Sequence, residues 1–397
     1  MKPKNRFHIV LLGKLEDHSI RRVCQGAAEY IATRSDLDFE PWTVYPGDNL
    51  TTSIDNLNRA DGLLITERDL RALGDARRRL RVPHVFVLAN DRHAGTPAVG
   101  LDERAIGRMA AEHLIHRGYG SLAFFGCASL SWSALRGEGF RQTAEALGAR
   151  VVEYTFPPAT LPVYLSGRFA QRRYGLYQAL RALQKPCGIF AAHDVLACYT
   201  IAAARAIGIP VPEQLGVVGV DDDPIANAAA GLAISTVHTP LRQIGWHAAE
   251  ILDHLRRGNA VVMETVLPPV RIVVRVSTNA FMVRDSLVAQ AQGYIEERRD
   301  KNLRVGKMAR DLHTTVVTLH KHFVEHLKVT PAVYIRQRRM EYAAELLRAG
   351  DLSVKQICYA CGFNDYSYFC HTFKHVTGVT PGSLLCQRTR RVPRFTF

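Results

Sequence analysis

The sequence predicts two α/β lobes built on doubly wound parallel sheets, followed by an all-α domain with two helix-turn-helix motifs. Three observations predict this. Over residues 7–278, apolar runs alternate with amphipathic helical stretches, the pattern of βαβ units whose strands are covered on both faces. Beyond about residue 285 the apolar period is 3.6 throughout, in short stretches broken by turn residues. The charge changes at the same place. Residues 286–397 hold 18 Lys and Arg against 9 Asp and Glu, or +9 of a total of +14, which suits a module that meets a polyanion.

In chain order, HIVLL (8–12), ADGLLIT (60–66), VPHVFVL (82–88), SLAFFGC (121–127), CGIFAA (187–192) and LGVVGVD (215–221) read as buried parallel strands. Residues 20–34, 107–117 and 199–207 carry the period of helices covering them. That is more strand than one short sheet needs, so two lobes with a cleft between them are expected. Ligands of such folds bind at the carboxyl ends of the strands.

Several chemistries are disfavoured. LLGKLED after the first strand holds one glycine, so neither GxxxxGK[ST] nor GxGxxG is present to cradle a nucleotide. There is no GxSxG elbow and no HExxH pair. The eight cysteines have no framework spacing, as in a reducing compartment. Cys358-x-x-Cys361 has no second pair behind it and lies on a helical stripe, so packing is its reading. No metal and no cofactor is expected. Five apolar residues after a basic start are too few for a signal-peptide core, and no run of apolar residues could span a membrane. A cytoplasmic location is expected.

Residues 279–285 form a short join between domains 1–278 and 286–397. A helix over 286–299 comes first. Residues 305–312 form the next, His313-Thr314 turn the chain, and Thr315 caps a helix over 316–327 that points Leu319 and Phe323 inward. A basic helix over 334–347 follows, with Ala343, Leu346 and Leu347 as its apolar face. In 351–381, Ile357, Ala360 and Cys361 make one stripe, Gly362-Phe363 break it, and Tyr366, Phe369, Phe373 and Val376 make another. Asn364 or Asp365 is the N-cap. The two motifs span about 305–327 and 353–376. A helix-turn-helix places its second helix in the DNA major groove; an ordinary αα-hairpin has the same period.

Ile357, Gly362-Phe363, Phe369, Phe373-Lys374, Gly378 and Thr380-Pro381 resemble the second helix-turn-helix of AraC-family transcription regulators, and residues 287–385 resemble that module throughout. Leu385 departs from the pattern, where arginine is common. The resemblance implies that Val317, His320 and Lys321 face bases from the first reading helix. From the second, Tyr366, Ser367, Tyr368 and His371 do so. Lys374, Arg338 and Arg339 are implied phosphate contacts, a solvated helix face being the plainer alternative for the two arginines. Two reading helices on one linker would sit roughly 34 Å apart on DNA.

A second resemblance covers residues 7–278. Asp102-x4-Gly107-x2-Ala110-x2-His113-Leu114-x2-Arg117-Gly118, Arg136-x2-Gly139-Phe140 and Ala192-His193-Asp194 come first. Val217-Val218-Gly219-Val220-Asp221-Asp222 and Leu267-Pro268-x2-Arg271-x3-Arg275-x-Ser277-Thr278 complete the series. In this order they resemble the effector-binding core of LacI/GalR-type repressors, which shares the fold of periplasmic sugar-binding proteins. That implies an effector site with Arg136 as donor to hydroxyls and Asp221 as acceptor. His193 stands where the family often has Asn, with Asp194 beside it. Trp132 and Phe125 are candidates to stack on a sugar face, and residues 14–18 form the near wall. For Arg136 and Asp221 the plain alternative is a salt bridge closing the cleft; for Trp132 it is ordinary packing.

A sensor of the second kind joined to a module of the first resembles the activators of bacterial xylose operons. They imply a sugar effector, a pentose such as D-xylose, an operator in double-stranded DNA, a homodimer, contact with RNA polymerase, and nucleoid association when bound. The alternatives are a different small effector, a sugar-binding protein without DNA function, or a sugar-processing enzyme.

Overall fold

The computed structural model describes residues 6–43, 50–89, 95–156, 169–278, 285–298, 303–327, 329–349, 352–377 and 380–383. The join at 279–284, Gly378 and Leu385 lie outside them. The chain forms two compact units, one spanning 1–116 and 120–279, the other 280–397 with Arg117–Tyr119.

The first unit contains two six-stranded sheets. One has the order β2-β1-β3-β4-β5-β11, from β1 (Phe7–Leu12), β2 (Leu37–Trp42), β3 (Gly62–Ile65), β4 (His84–Val87), β5 (Ala98–Leu101) and β11 (Glu264–Leu267). All its pairs are parallel; Ile9, for example, lies between Phe39 and Gly62. The other has the order β7-β6-β8-β9-β10-β12. It is built from β6 (Ser121–Cys127), β7 (Arg150–Phe156), β8 (Cys187–Ala191), β9 (Leu215–Val220), β10 (Ser235–His238) and β12 (Arg271–Val273). Only its last pair, β10 with β12, is antiparallel. β3, β8 and β9 are buried at every residue, which is why they read as unbroken apolar runs. β2 and β7 are half-exposed edges, LDFEPW and RVVEYTF, and carry no such run.

The covering helices are α1 (His18–Ala32), α2 (Leu50–Leu57), α3 (Glu67–Ala72), α4 (Glu103–His116), α5 (Ser131–Ala146), α6 (Phe169–Ala182), α7 (Asp194–Ala206), α8 (Pro224–Ala229) and α9 (Leu241–Arg256). α1 and α9 pack together beside the first sheet, and α4 and α5 pack together beside the second. The α4–α5 approach sets up the site. A Cβ on Gly107 would lie 2.0 Å from the Arg136 carbonyl oxygen, and one on Gly139 would lie 2.1 Å from that of Arg104. Only glycine at both positions lets the two backbones touch, bringing the start of α4 against the middle of α5. The chain passes between sheets three times, after β5, after β10 and after β11.

The second unit contains α10 (Ser286–Glu297), α11 (Val305–Asp311), α12 (Val316–Leu327), α13 (Pro331–Ala349), α14 (Val354–Ala360) and α15 (Tyr366–Thr377). It has two cores on one shared helix. Tyr334 and Ile335 at the start of α13 join Met308, Leu319 and Phe323. Met340, Ala343 and Leu347 further along join Ile357, Cys358, Cys361, Phe369 and Phe373. Cys358 and Cys361 are therefore packed inside the second motif. Thr315 caps α12, accepting from the Thr318 amide at 3.0 Å, and Asp365 caps α15, accepting from Tyr368 at 2.7 Å. Both turns place a residue at positive φ, His313 at 53° in the first and Gly362 at 73° in the second.

Candidate functional site: an effector cleft and a DNA-reading face

In the first unit the predicted residues converge at the carboxyl ends of β1, β6, β8 and β9, at the points where strand order reverses in each sheet. Trp132 and Arg136 are four residues apart on α5, hence on one face, and the guanidinium carbon lies 4.7 Å from the Trp132 ring centroid. His193, after β8, presents its ring edge-on to Trp132 at 5.9 Å. The result is a wall with a cation, an indole and an imidazole.

Arg136 is 4% exposed. Its Nε donates to Glu103 Oε2 and its Nη1 to the Ala192 carbonyl, both at 2.6 Å, so of its five N–H donors one on Nη1 and two on Nη2 remain. The ion pair weighed from the sequence does exist, and its partner is Glu103 at the start of α4. Burial pushes the Glu103 carboxyl up to about 7 against the pull of Arg136. Sequence reasoning passed over Glu103, although it directly follows the Asp102 that opens the second resemblance.

Asp221 sits just past β9 at φ 92°, with Asp222 next at 59°. Two successive non-glycine residues in this region store about 1–3 kcal/mol each, held by their surroundings. Asp221 Oδ1 accepts from Thr239 at 2.8 Å, and Oδ2 accepts from Ser19 at 3.4 Å. Asp222 is tied to Arg275 at 2.6 Å; His238, whose Nδ1 lies 3.5 Å from Oδ2, and the bond from Arg275 hold its carboxyl at about 2. From the near wall, His18 is the residue that reaches across. Its Nε2 donates to the Asp221 carbonyl at 3.2 Å, and its Nδ1 lies 3.7 Å from Asp223 Oδ1. Asp17 instead caps α1.

His193 Nδ1 accepts from the Leu196 amide and so caps α7, which leaves Nε2 to carry the proton. Burial, and next the Arg136 charge, hold its pKa down at about 4. The folded protein then binds fewer protons than the unfolded chain between about 6.5 and that value. The contribution of His193 to stability is complete above the unfolded value and is lost as pH falls toward about 4. His193→Asn should flatten that part of the stability–pH curve, measured by thermal melts; an unchanged acid slope would contradict the assignment.

Asp194 is placed differently. It is 2% exposed, accepts from the Asp223 amide at 2.8 Å, and lies where a Cβ on Gly219 would meet its Oδ1 at 2.0 Å. Burial raises its pKa well above the usual carboxylate range. It fixes the loop after β9. Phe125 packs edge-on against Tyr154 and Phe156 in the second sheet.

In the second unit Val317, His320 and Lys321 are all exposed on α12, and Tyr366, Ser367, Tyr368, His371 and Lys374 on α15. Val317 is 79% exposed and Tyr368 is 55% exposed, high values for apolar and aromatic side chains with no structural demand to face water. The expectation for Arg339 is corrected. It is 9% exposed, with its guanidinium 5.8 Å from the Phe363 ring centroid, because α13 turns that face toward the second core. Arg338 is half-buried.

Comparison with known proteins decides the class. A profile for a periplasmic binding protein-like domain matches residues 111–278, and one for a helix-turn-helix domain matches residues 308–387. The xylose operon regulatory protein of Haemophilus influenzae is 26% identical, the match covering 94% of this chain and 97% of that protein. Its Escherichia coli K12 counterpart is 28% identical, over 95% and 96%. The solved structure of a xylose-binding transcription activator, xylR, superposes with a TM-score of 0.59 at 25% identity, covering 97% of this chain and 99% of that one. The chain is a helix-turn-helix transcription regulator. It joins a periplasmic-binding-protein-like sensor to an AraC-type DNA-binding domain. The regulator's relatives act on DNA rather than as enzymes. Among the described residues, no helix of the regulator is long and apolar enough to cross a membrane.

Proposed function

We propose that the regulator is a cytoplasmic activator of pentose catabolic genes, with D-xylose or a close relative as effector. The observation that carries this reading is the set of groups on the cleft wall. Arg136 offers donors, Asp221 acceptors, Trp132 an apolar face, and neutral His193 a further N–H. These are what a small polyhydroxylated ring needs, in a site with few charges to spare. Full-length similarity to two xylose operon regulatory proteins supports the same choice. In this reading Arg136, His193, Trp132 and Asp221 touch the sugar, while Asp194 holds the Asp221 loop. Glu103 orients Arg136.

The sugar bridges the two lobes, replacing or reinforcing the His18–Asp221 contact, and so favours a closed form. Closure alters how two sensors associate in a homodimer, which sets the spacing of paired DNA modules and their approach to RNA polymerase. On DNA, Val317, His320, Lys321, Tyr366, Ser367, Tyr368 and His371 read bases, and Lys374 neutralises phosphate.

The test is a thermal-shift panel of pentoses and hexoses. All three tryptophans, at 42, 132 and 246, lie in the sensor, so their emission reports that unit. A cognate sugar at a hundred times its dissociation constant should add about 2.7 kcal/mol. A panel in which no pentose shifts the transition would sink the pentose reading.

A further inference from the structure

The regulator's DNA-binding unit contains a cluster that its base-reading role does not use. Asp285 caps α10, its Oδ1 accepting from the Val288 amide at 2.9 Å. Its other oxygen, Oδ2, faces α12, 2.8 Å from His322 Nδ1 and 3.7 Å from His326 Nε2. One donor atom from each residue lies within 4.8 Å of the other two. His322 and His326 are one helical turn apart, so both rings leave the same side of α12.

The spacing is that of a metal site. A tetrahedral ion with bonds of about 2.0–2.1 Å to nitrogen and oxygen holds its donors roughly 3.3 Å apart, and the two Asp285 distances bracket that value. The chemistry fits as well. Two imidazoles and a carboxylate suit a borderline divalent transition metal, whereas Mg²⁺ and Ca²⁺ need more oxygens. The Val288 amide on Oδ1 fixes the carboxylate as an outer partner does in established sites. The side chains of His322 and His326 are about one-third exposed, at 31% and 32%, and that of Asp285 is 17% exposed. The cluster is therefore open for an ion to enter, with a fourth position left for water. Counting about 100° per residue round α12, His322 and His326 lie well away from Val317, His320 and Lys321, so an ion would leave the reading face clear.

We propose that Asp285, His322 and His326 form a Zn²⁺-class metal site that clamps the first capping residue of the DNA-binding unit onto its first reading helix. A plain carboxylate–imidazole ion pair is the alternative.

Cobalt(II) titration of the untagged full chain separates the two. The expected result is one Co²⁺ per chain with tetrahedral visible absorption and no near-ultraviolet thiolate charge-transfer band, displaced by Zn²⁺. Asp285→Asn keeps the cap, since Asn and Asp cap equally well, but should weaken binding at least tenfold, as should His326→Ala. Zn²⁺ should raise the melting temperature of the wild-type DNA-binding unit and not that of either variant. No binding at submillimolar Co²⁺, an unchanged titration in both variants, or a thiolate band would each overturn the proposal.

Discussion

Arg136→Met is expected to destabilise the sensor by about 3–5 kcal/mol and to abolish its response to sugar. The first effect follows from burial, because removing the guanidinium leaves Glu103 buried without its partner. Glu103→Gln with Arg136→Met should recover most of that loss, since a neutral amide beside an apolar chain leaves no unpaired charge. Sugar binding should not recover with it, because the Nη2 donors are gone. Chemical denaturation followed by tryptophan emission gives the stability of all four forms, and calorimetry gives sugar affinity. Should the double variant bind sugar as the wild type does, Arg136 is a structural brace and the donor role is wrong. Intact stability in the single variant would contradict the buried pair.

His320→Ala and His371→Ala are each expected to lower discrimination between operator and unrelated DNA by about 1–3 kcal/mol. Both side chains are exposed, each on the second helix of its motif, and both can donate to guanine O6 or N7. Lys374→Ala should behave otherwise. It should weaken all sequences alike and reduce the salt dependence of binding by about one charge. Competition binding over a range of salt concentrations distinguishes the cases. A parallel loss of specific and non-specific binding in a histidine variant would assign that histidine to the phosphate backbone.

How much could be read beforehand depended on local signal. The fully buried strands β3, β8 and β9 are continuous apolar runs, and the helices of the DNA-binding unit have clear periods and caps, so both were legible. The edge strands β2 and β7 were not, since half-exposed strands mix charged and apolar residues without a run. In the cleft, Arg136, His193 and Asp221 lie in strings shared with known sensors, and Trp132 stands out as an aromatic one turn before Arg136; the structure sets Trp132 against both Arg136 and His193. Glu103, Ser19 and Thr239 were missed because their partners, 33, 202 and 18 residues away, are set by the fold: Glu103 meets Arg136 through the Gly107–Gly139 approach, and Ser19 meets Asp221 only across the two lobes. Thr239 meets the same carboxylate from the end of β10, only 18 residues on, but no pattern marks it. Arg339 was misread because a basic helix face looks solvated until its neighbour Phe363 is in place.

A sugar in the cleft should change what the DNA-binding unit does. The direct measurement is the affinity of the full chain for an operator selected from random duplex DNA, with and without each pentose. For the wild type, one pentose should change that affinity by at least about fivefold, the lower end of ordinary coupling, and the Glu103→Gln, Arg136→Met form should show no change. Equal affinity with and without a sugar that demonstrably binds the sensor would contradict the account.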